Sequence, residues 1–354
     1  MYKSKDLILS VVDQSPARKG GTGAEALRES VRLAQICERL GYKRYWVAEH
    51  HNSNSWAGVS PEILIGQIAA NTTTLRVGSG GVMLSHYSAL KVAEQFRVLD
   101  AFYPGRIDLG IGRAPGSDQR TAAALVYPRP QSDIKKFPEQ VMDLLAFLNS
   151  DLEEGHPFTG ISALVGPEPI TGPEVWLLGS SDFSARLSAL LGLPFAFADF
   201  FGASQHGPIV TELYRNEFQP SIYMKSPKIN VAAQVICAPD EEEAKRLSSS
   251  RNLNKLILQH GMDRYEIDVK LTGLLSPDEA LAYPLSEIER VKISKLSENY
   301  IDGDPEQVLE GIVELANRYD TPEIGIVTNC YSFDHRVRSY ELVAEAFNLP
   351  TQTK

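Results

Sequence analysis

The sequence predicts an α/β fold, a (β/α)8 TIM barrel with a long insertion before its eighth strand. Two observations lead there. Eight short apolar runs alternate with amphipathic helical patterns almost from end to end. Those runs are rich in Val, Ile, Leu and Ala, as strands buried on both faces must be. A doubly wound open sheet is the alternative, and the strand count favours the barrel. No break in composition marks a boundary, so residues 1–354 read as one domain.

The elements follow in order. "LILSVVD" (Leu7–Asp13) is the first strand. "AEALRESVRLAQICERLG" places Leu27, Val31, Ala34, Cys37 and Leu40 on one helical face, and Gly41 stops it. "YWVAEHH" is the second strand. Ser60 and Pro61 open the next helix. "LRVGSGGVML" is the third strand, followed by a helix ended by Pro104–Gly105. "RIDLGIGRA" is the fourth. A polar connection from Pro115 to Lys136 precedes the helix "FPEQVMDLLAFLNS", and Asp151–Pro173 reads as irregular.

"EVWLLGS", "PFAFADFF" and "KINVAAQVICA" are strands five to seven, each with a helix behind it. Asp263–Asp304 then carries prolines, many charges and no clean period. A connection of that length is a candidate lid or a surface decoration. In "DPEQV", Asp304 caps a helix, Pro305 opens it and Gln307 reaches back. "EIGIVTN" is the eighth strand, closed by a final helix.

Of the 354 residues 43% are hydrophobic and 23% charged, the balance of an ordinary globular protein. The net charge of −10 argues against a nucleic-acid surface or a polybasic membrane surface. No run of about 18 apolar residues exists to span a membrane, and the N-terminus lacks a signal-peptide pattern. Cys37, Cys237 and Cys330 lie far apart, which fits a reducing cytoplasm and core packing.

In a barrel, chemistry gathers at the C-terminal ends of the strands. Glu49, His50 and His51 fall at the second, Asp13 and Gln14 at the first, Arg113 at the fourth, Ser180 and Ser181 at the fifth and Asp199 at the sixth. Adjacent strand residues point to opposite faces, so His50 and His51 cannot both face the mouth. No metal site is expected. One histidine with a catalytic or ligand-contacting role competes with a purely structural pair.

"GIGRAPG" (Gly110–Gly116) lacks the context of a dinucleotide loop, since Pro115 interrupts it. Arg113 can clamp an anion or pair with a neighbouring acid. In "GSSDFSAR" (Gly179–Arg186) a helix starts directly after a strand. Its N–H groups with Ser180, Ser181 and Ser184 can bind an anion, or a serine can simply cap the helix. The glycines of "GSGGVML" suggest a bulge or a backbone pressed against a ligand. A flat ligand on Gly80–Gly81 would account for the missing side chains.

Together, "GYKRYWVAEHHN", "VGSGGVMLSHYSALKVAEQFRVLDAFYPGRIDLGIGRAPG", "VWLLGSSDFSARLSALLGLPFAFA" and "GDPEQVLEGI" resemble the bacterial luciferase-like flavin monooxygenases of the single-subunit type. The resemblance runs through nearly the whole chain. It implies a barrel that binds FMN, usually reduced, and uses O2 to oxygenate a small organic substrate, with a separate NAD(P)H:flavin reductase as supplier. It implies that His50 lies near the isoalloxazine and influences the reaction with oxygen. It implies that Gly80 and Gly81 form a non-proline cis peptide beneath the flavin, with Met83 beside it. Arg113, Ser180, Ser181 and Ser184 would hold the phosphate. Homo-oligomers are the family habit. Gly112 stands where light-emitting members carry a reactive cysteine, which gives no ground for expecting light emission. Two other readings remain. One is deazaflavin-dependent hydride transfer on the same fold, and the other is flavin binding without turnover.

Overall fold

The computed structural model describes residues 1–130, 133–166, 172–201, 206–260 and 273–351. Its core is a closed ring of parallel strands. These are β1 (Ile8–Asp13), β2 (Arg44–Val47), β3 (Arg76–Met83), β4 (Ile107–Gly112), β5 (Glu174–Gly179), β6 (Phe195–Ala198) and β7 (Ile229–Cys237). A short β8 (Ile301–Gly303) precedes β9 (Glu323–Val327), which fills the eighth place in the ring. Pairing runs β1–β2–β3–β4–β5–β6–β7–β9 and back to β1, so the barrel closes and leaves no ring strand with an open edge. β8 lies outside the ring, paired to the C-terminal end of β7. This is the (β/α)8 barrel that the alternation predicts.

The long helices that follow the ring strands fall where the apolar periodicity puts them. α1 (Gly23–Leu40) is capped by Thr22 and Glu25 in a reciprocal box and ends at Gly41, whose φ of 90° only glycine adopts without strain. α2 (Pro61–Ala70) and α3 (Ala89–Phe102) follow β2 and β3. After β4 come α4 (Gln119–Val126) and α5 (Phe137–Asn149). α6 (Asp182–Leu191), α7 (Gly207–Glu217) and α8 (Glu241–His260) cover the second half. α9 (Pro277–Leu281), α10 (Glu287–Ser297), α11 (Pro305–Arg318) and α12 (Phe333–Ala346) complete the chain.

Two expectations are corrected. The connection Pro115–Lys136 is not merely a loop: α4 lies within it, because Asp118 caps the N–H groups of Arg120 and Thr121 and starts a helix. β2 ends at Val47, so Glu49, His50 and His51 lie on the loop beyond it and alternation along a strand does not govern them. The insertion before the last ring strand holds α9, α10 and β8 in its described part. α9 and α10 each carry a serine–glutamate capping box, at Ser276–Glu279 and Ser286–Glu289. Capping starts these helices where hydrophobic periodicity is too weak to announce them. The rest of the candidate lid, residues 263–272, lies outside the described residues.

The N-terminal end of the barrel is sealed by charge. Arg44 Nη1 meets Asp108 at 2.7 Å, and Lys228 Nζ meets Glu174 at 2.8 Å. Trp46 donates its indole N–H to Asp108 over 2.9 Å. Asp108 is fully buried and Arg44 almost so, and buried charges persist only when paired in this way. Above this seal the interior opens toward the strand tips.

Candidate active site at the barrel mouth

A cavity of about 290 Å³ occupies the C-terminal half of the barrel. Its walls come from different strands, which is how a barrel builds a site. Gly80, Gly81 and Met83 line it from β3, and Arg113 from just beyond β4. Ser180, Ser181 and Ser184 line it from the β5–α6 junction. The seven residues assigned to cofactor binding in the sequence thus share one cavity.

The glycine wall is closed to side chains. The Gly80–Gly81 peptide is cis, and the β3–β4 register shifts between Gly80 and Val82. A Cβ on Gly81 would lie 2.7 Å from the Gly110 carbonyl oxygen, and one on Gly80 would lie 3.1 Å from Trp46 Cβ. Only bare backbone fits at Gly81, a side chain at Gly80 would crowd Trp46, and the peptide presents a bare surface to the cavity.

The anion side combines three sources of positive potential or donors. Ser181 holds the N-cap position of α6 in extended backbone, yet its side chain makes no capping bond. Its hydroxyl is therefore not consumed by the helix. Ser184, one turn in, is 6% exposed and faces the same cavity. A Cβ on Gly179 would overlap the Ser184 hydroxyl, so glycine there makes room for it. Arg113 stacks over the Phe183 ring at 4.1 Å, and among the described residues no carboxylate pairs with it. A guanidinium and free hydroxyls at a helix N-terminus match a phosphate's acceptors. Asp182 Oδ1 accepts the Phe183 N–H at 2.9 Å, one donor of that first turn.

The opposite lining is apolar. Ile134, Leu178, Phe197, Phe200 and Phe201 bound the mouth. Phe200 and Phe201 stack on each other there, with ring centroids 4.5 Å apart. Trp56 packs beside His50, with ring centroids 5.7 Å apart. Deeper in, Val12, Trp46, Ala196, Asn230 and Ala232 form the inner wall.

The acid and two imidazoles after β2 have separate jobs. Glu49 is fully buried and accepts three hydrogen bonds: from the Met83 N–H at 3.0 Å, the Tyr87 hydroxyl at 2.7 Å and His51 Nε2 at 2.6 Å. It ties the loop after β2 to the tip of β3, where Met83 meets the cavity. The His51 N–H reaches the Gly116 carbonyl at 3.2 Å and links the same loop to the segment after β4.

His50 is different. Its backbone N–H donates to the Gly58 carbonyl at 2.8 Å, while Nδ1 is buried without a partner. Burial pushes its pKa down to about 4, against the opposing pull of Glu49. At neutral pH the ring is uncharged and available as a proton acceptor. His50 is not one of the residues lining the barrel cavity.

Other polar strand tips turn out to be framework. Asp13 is fully buried, paired with Arg336 and bonded by Tyr45 Oη at 2.6 Å. The Arg336 charge and these donors hold its pKa below the usual carboxylate value despite burial. Gln14 accepts from Asn329 at 2.6 Å, and Asp199 from the Tyr319 hydroxyl at 2.5 Å. The three cysteines are buried and free, with thiol pKa values raised by burial, so they pack and do not react. Among the described residues no cluster of three or more His, Cys, Asp or Glu side chains could hold a metal ion.

The inner wall is what sequence reasoning missed. Asn230 is the first inward polar residue of "INVAAQVIC", and period-two alternation with Ala232 would have picked it out.

A mouth cavity with a flat backbone wall and a set of unspent anion donors suits a flat, anionic organic ligand. The family is more specific than that class. The sequence pattern of the luciferase-like monooxygenases matches residues 7–321, and the chain belongs to that family. A luciferase-like monooxygenase of Escherichia coli (strain K12) is 39% identical over 346 residues, covering 96% of this chain and 97% of that protein. The N-acetyl-S-alkylcysteine monooxygenase of Bacillus subtilis (strain 168) is 36% identical over 341 residues, covering 96% and 97%.

Among solved structures, that of apo-MsnO8 superposes with a TM-score of 0.82 at 37% identity, covering 98% of this chain and all of that one. More distant structures share the fold alone. They include the oxygenating constituent of 3,6-diketocamphane monooxygenase in complex with FMN (TM-score 0.70, 17% identity) and an F420-dependent secondary alcohol dehydrogenase (TM-score 0.65, 15% identity). Family membership supports a monooxygenase. Among the described residues no helix is long and apolar enough to cross a membrane.

Proposed function

We propose that the protein is an FMN-dependent monooxygenase that consumes reduced FMN and O2 to oxygenate a small organic substrate. The observation that carries this reading is the continuity of one cavity from the unspent donors of Arg113, Ser181 and Ser184 to the bare backbone of Gly80–Gly81. A ligand with a phosphate at one end and a planar ring at the other meets both. The flavin would supply the redox chemistry: it is oxidised, one oxygen atom enters the substrate and the other leaves as water.

The chain's own residues do the rest. Arg113 and the serines hold the phosphate. Gly80, Gly81 and Met83 give the ring a flat bed. Glu49 fixes Met83 through its N–H. The apolar mouth of Ile134, Leu178, Phe197 and Phe200 keeps water from the reacting centre. His50, uncharged at neutral pH, would act from the loop after β2, outside the cavity lining, so a proton it takes up would reach it through an intervening group. The substrate would dock against the apolar mouth, and N-acetyl-S-alkylcysteine, the compound in the name of the 36%-identical relative, is a first substrate to try.

No nicotinamide-binding motif is present in the sequence, so reduced FMN would come from a separate NAD(P)H:flavin reductase. The single barrel would act in the cytoplasm, where its thiols stay reduced, as a homo-oligomer. Deazaflavin-dependent hydride transfer is the second reading, and the F420-dependent structures of the same fold favour keeping it.

Oxygen consumption separates the two. With reduced FMN and candidate substrates, the proposal predicts substrate-dependent oxygen uptake and a product heavier by one oxygen atom. Anaerobic turnover with a reduced deazaflavin, and none with FMN and oxygen, would reverse the assignment.

A further inference from the structure

The inner wall of the cavity carries one carboxamide with nothing to bond. Asn230 is 1% exposed, and neither its Nδ2 nor its Oδ1 has a partner. Buried amides are almost always paired, so one left open in a cavity wall points to what fills the cavity. Its neighbours in that wall, Val12, Trp46, Ala196 and Ala232, offer no free polar atom, because the Trp46 N–H already goes to Asp108. Glycine backs the amide: a Cβ on Gly325 would lie 3.0 Å from Asn230 Oδ1.

Position sharpens the point. β7 is four strands from β3 in either direction around the ring of eight, so Asn230 lies across the cavity from Gly80–Gly81. Three demands then fall on a single occupant. It needs an anion for Arg113 and the serines, a flat body for the glycine wall, and a polar edge with adjacent C=O and N–H for Asn230. A carboxamide offers one donor and one acceptor side by side, and such an edge is its complement.

We propose that Asn230 recognises the pyrimidinedione edge of the flavin ring, donating from Nδ2 to a ring carbonyl and accepting the ring N–H at Oδ1. The proposal rests on the reading that the cavity holds a flavin. A deazaflavin carries the same edge, so the assignment is indifferent to which of the two is bound. Asn230 would then fix how far the ring enters the barrel, and with it the place left for substrate.

The test is a binding titration, independent of turnover. FMN and N3-methyl-FMN, which lacks the ring N–H, are titrated into the wild-type protein and into Asn230→Leu, a variant of the same branched shape without hydrogen-bonding groups. The expected result is that the wild type binds FMN about tenfold more tightly than the methylated analogue, the size of one lost hydrogen bond that also strands its partner. Asn230→Leu should bind FMN about tenfold more weakly and lose the discrimination.

Wild-type protein that binds both flavins equally overturns the proposal, even if the variant fails to fold. So does a variant that binds and discriminates as the wild type does, which would leave the amide to a buried water or to the substrate. If neither flavin binds the wild type, the flavin reading itself fails and Asn230 falls with it.

Discussion

His50 and Arg113 show how far a residue's role can be read before its surroundings are known. Both were singled out by their place after a strand. For Arg113 the choice between an anion clamp and an ordinary ion pair turned on its neighbours. The structure supplies an aromatic platform and, among the described residues, no carboxylate partner. Arg113→Ala is expected to weaken FMN binding by roughly 1–3 kcal/mol, the worth of a charge-assisted hydrogen bond. Fluorescence titration measures it, and unchanged affinity would remove Arg113 from the phosphate role.

For His50 the decisive quantity is its pKa of about 4, depressed by burial. Protonating the folded state is harder than protonating the unfolded chain, whose histidines titrate near 6.5. Between those values the unfolded state holds more protons, so His50 favours folding above pH 6.5 and loses that contribution as pH falls toward 4. Within the window the loss approaches about 1 kcal/mol per pH unit. His50→Gln should therefore flatten the fall in melting temperature from pH 6.5 to 4. Parallel curves for the two proteins would mean that His50 is not held neutral by its site.

At the scale of elements, the strands and long helices were legible because each carries its own period. β1, β3 and β7 were bounded to within a few residues, as were α1 with its Gly41 stop and α11 with its Asp304 cap. What the sequence did not show was whatever depends on local hydrogen bonds. β2 stops at Val47 although the apolar run continues to Ala48, because the loop is drawn away by Glu49 and the His50–Gly58 bond. α9 and α10 begin at capping boxes rather than at hydrophobic stripes.

The helix whose cap was foreseen gives a quantitative check. Asp304 Oδ1 accepts the N–H groups of Glu306 and Gln307 at 2.9 Å each, and Gln307 returns a bond to the Asp304 N–H at 3.0 Å. Asp304→Ala should cost about 0.5–2 kcal/mol in chemical denaturation, the usual value of a lost N-cap. Since α11 contributes nothing to the cavity lining, FMN affinity should stay as it was. A loss of affinity in that variant would mean that the barrel transmits changes at α11 to its mouth.

On the scale of the whole molecule, the barrel divides into two ends with different chemistry. Charges pair and seal the N-terminal end through Arg44, Asp108, Glu174 and Lys228. The cavity beyond that seal leaves polar groups unpaired at Arg113 and Ser181 in its mouth and at Asn230 in its inner wall. A fold that spends its polar groups at one end and withholds them at the other has stability at the first and binding at the second. The sequence showed the mouth because glycines inside a strand and a strand running directly into a helix through Gly179–Ser181 are patterns legible over a few residues. It could not show the inner wall, because the residues of β7 meet those of β3 only when eight strands close.

The central claim is that this mouth holds a flavin. It is tested most directly by titrating the purified protein with oxidised and with dithionite-reduced FMN under nitrogen, then admitting air and following the spectrum. The account predicts saturable binding that is tighter for reduced FMN, and reoxidation on a time course distinct from that of free flavin. Absence of binding in both redox states would contradict it, and a deazaflavin bound in the same titration would then name the occupant.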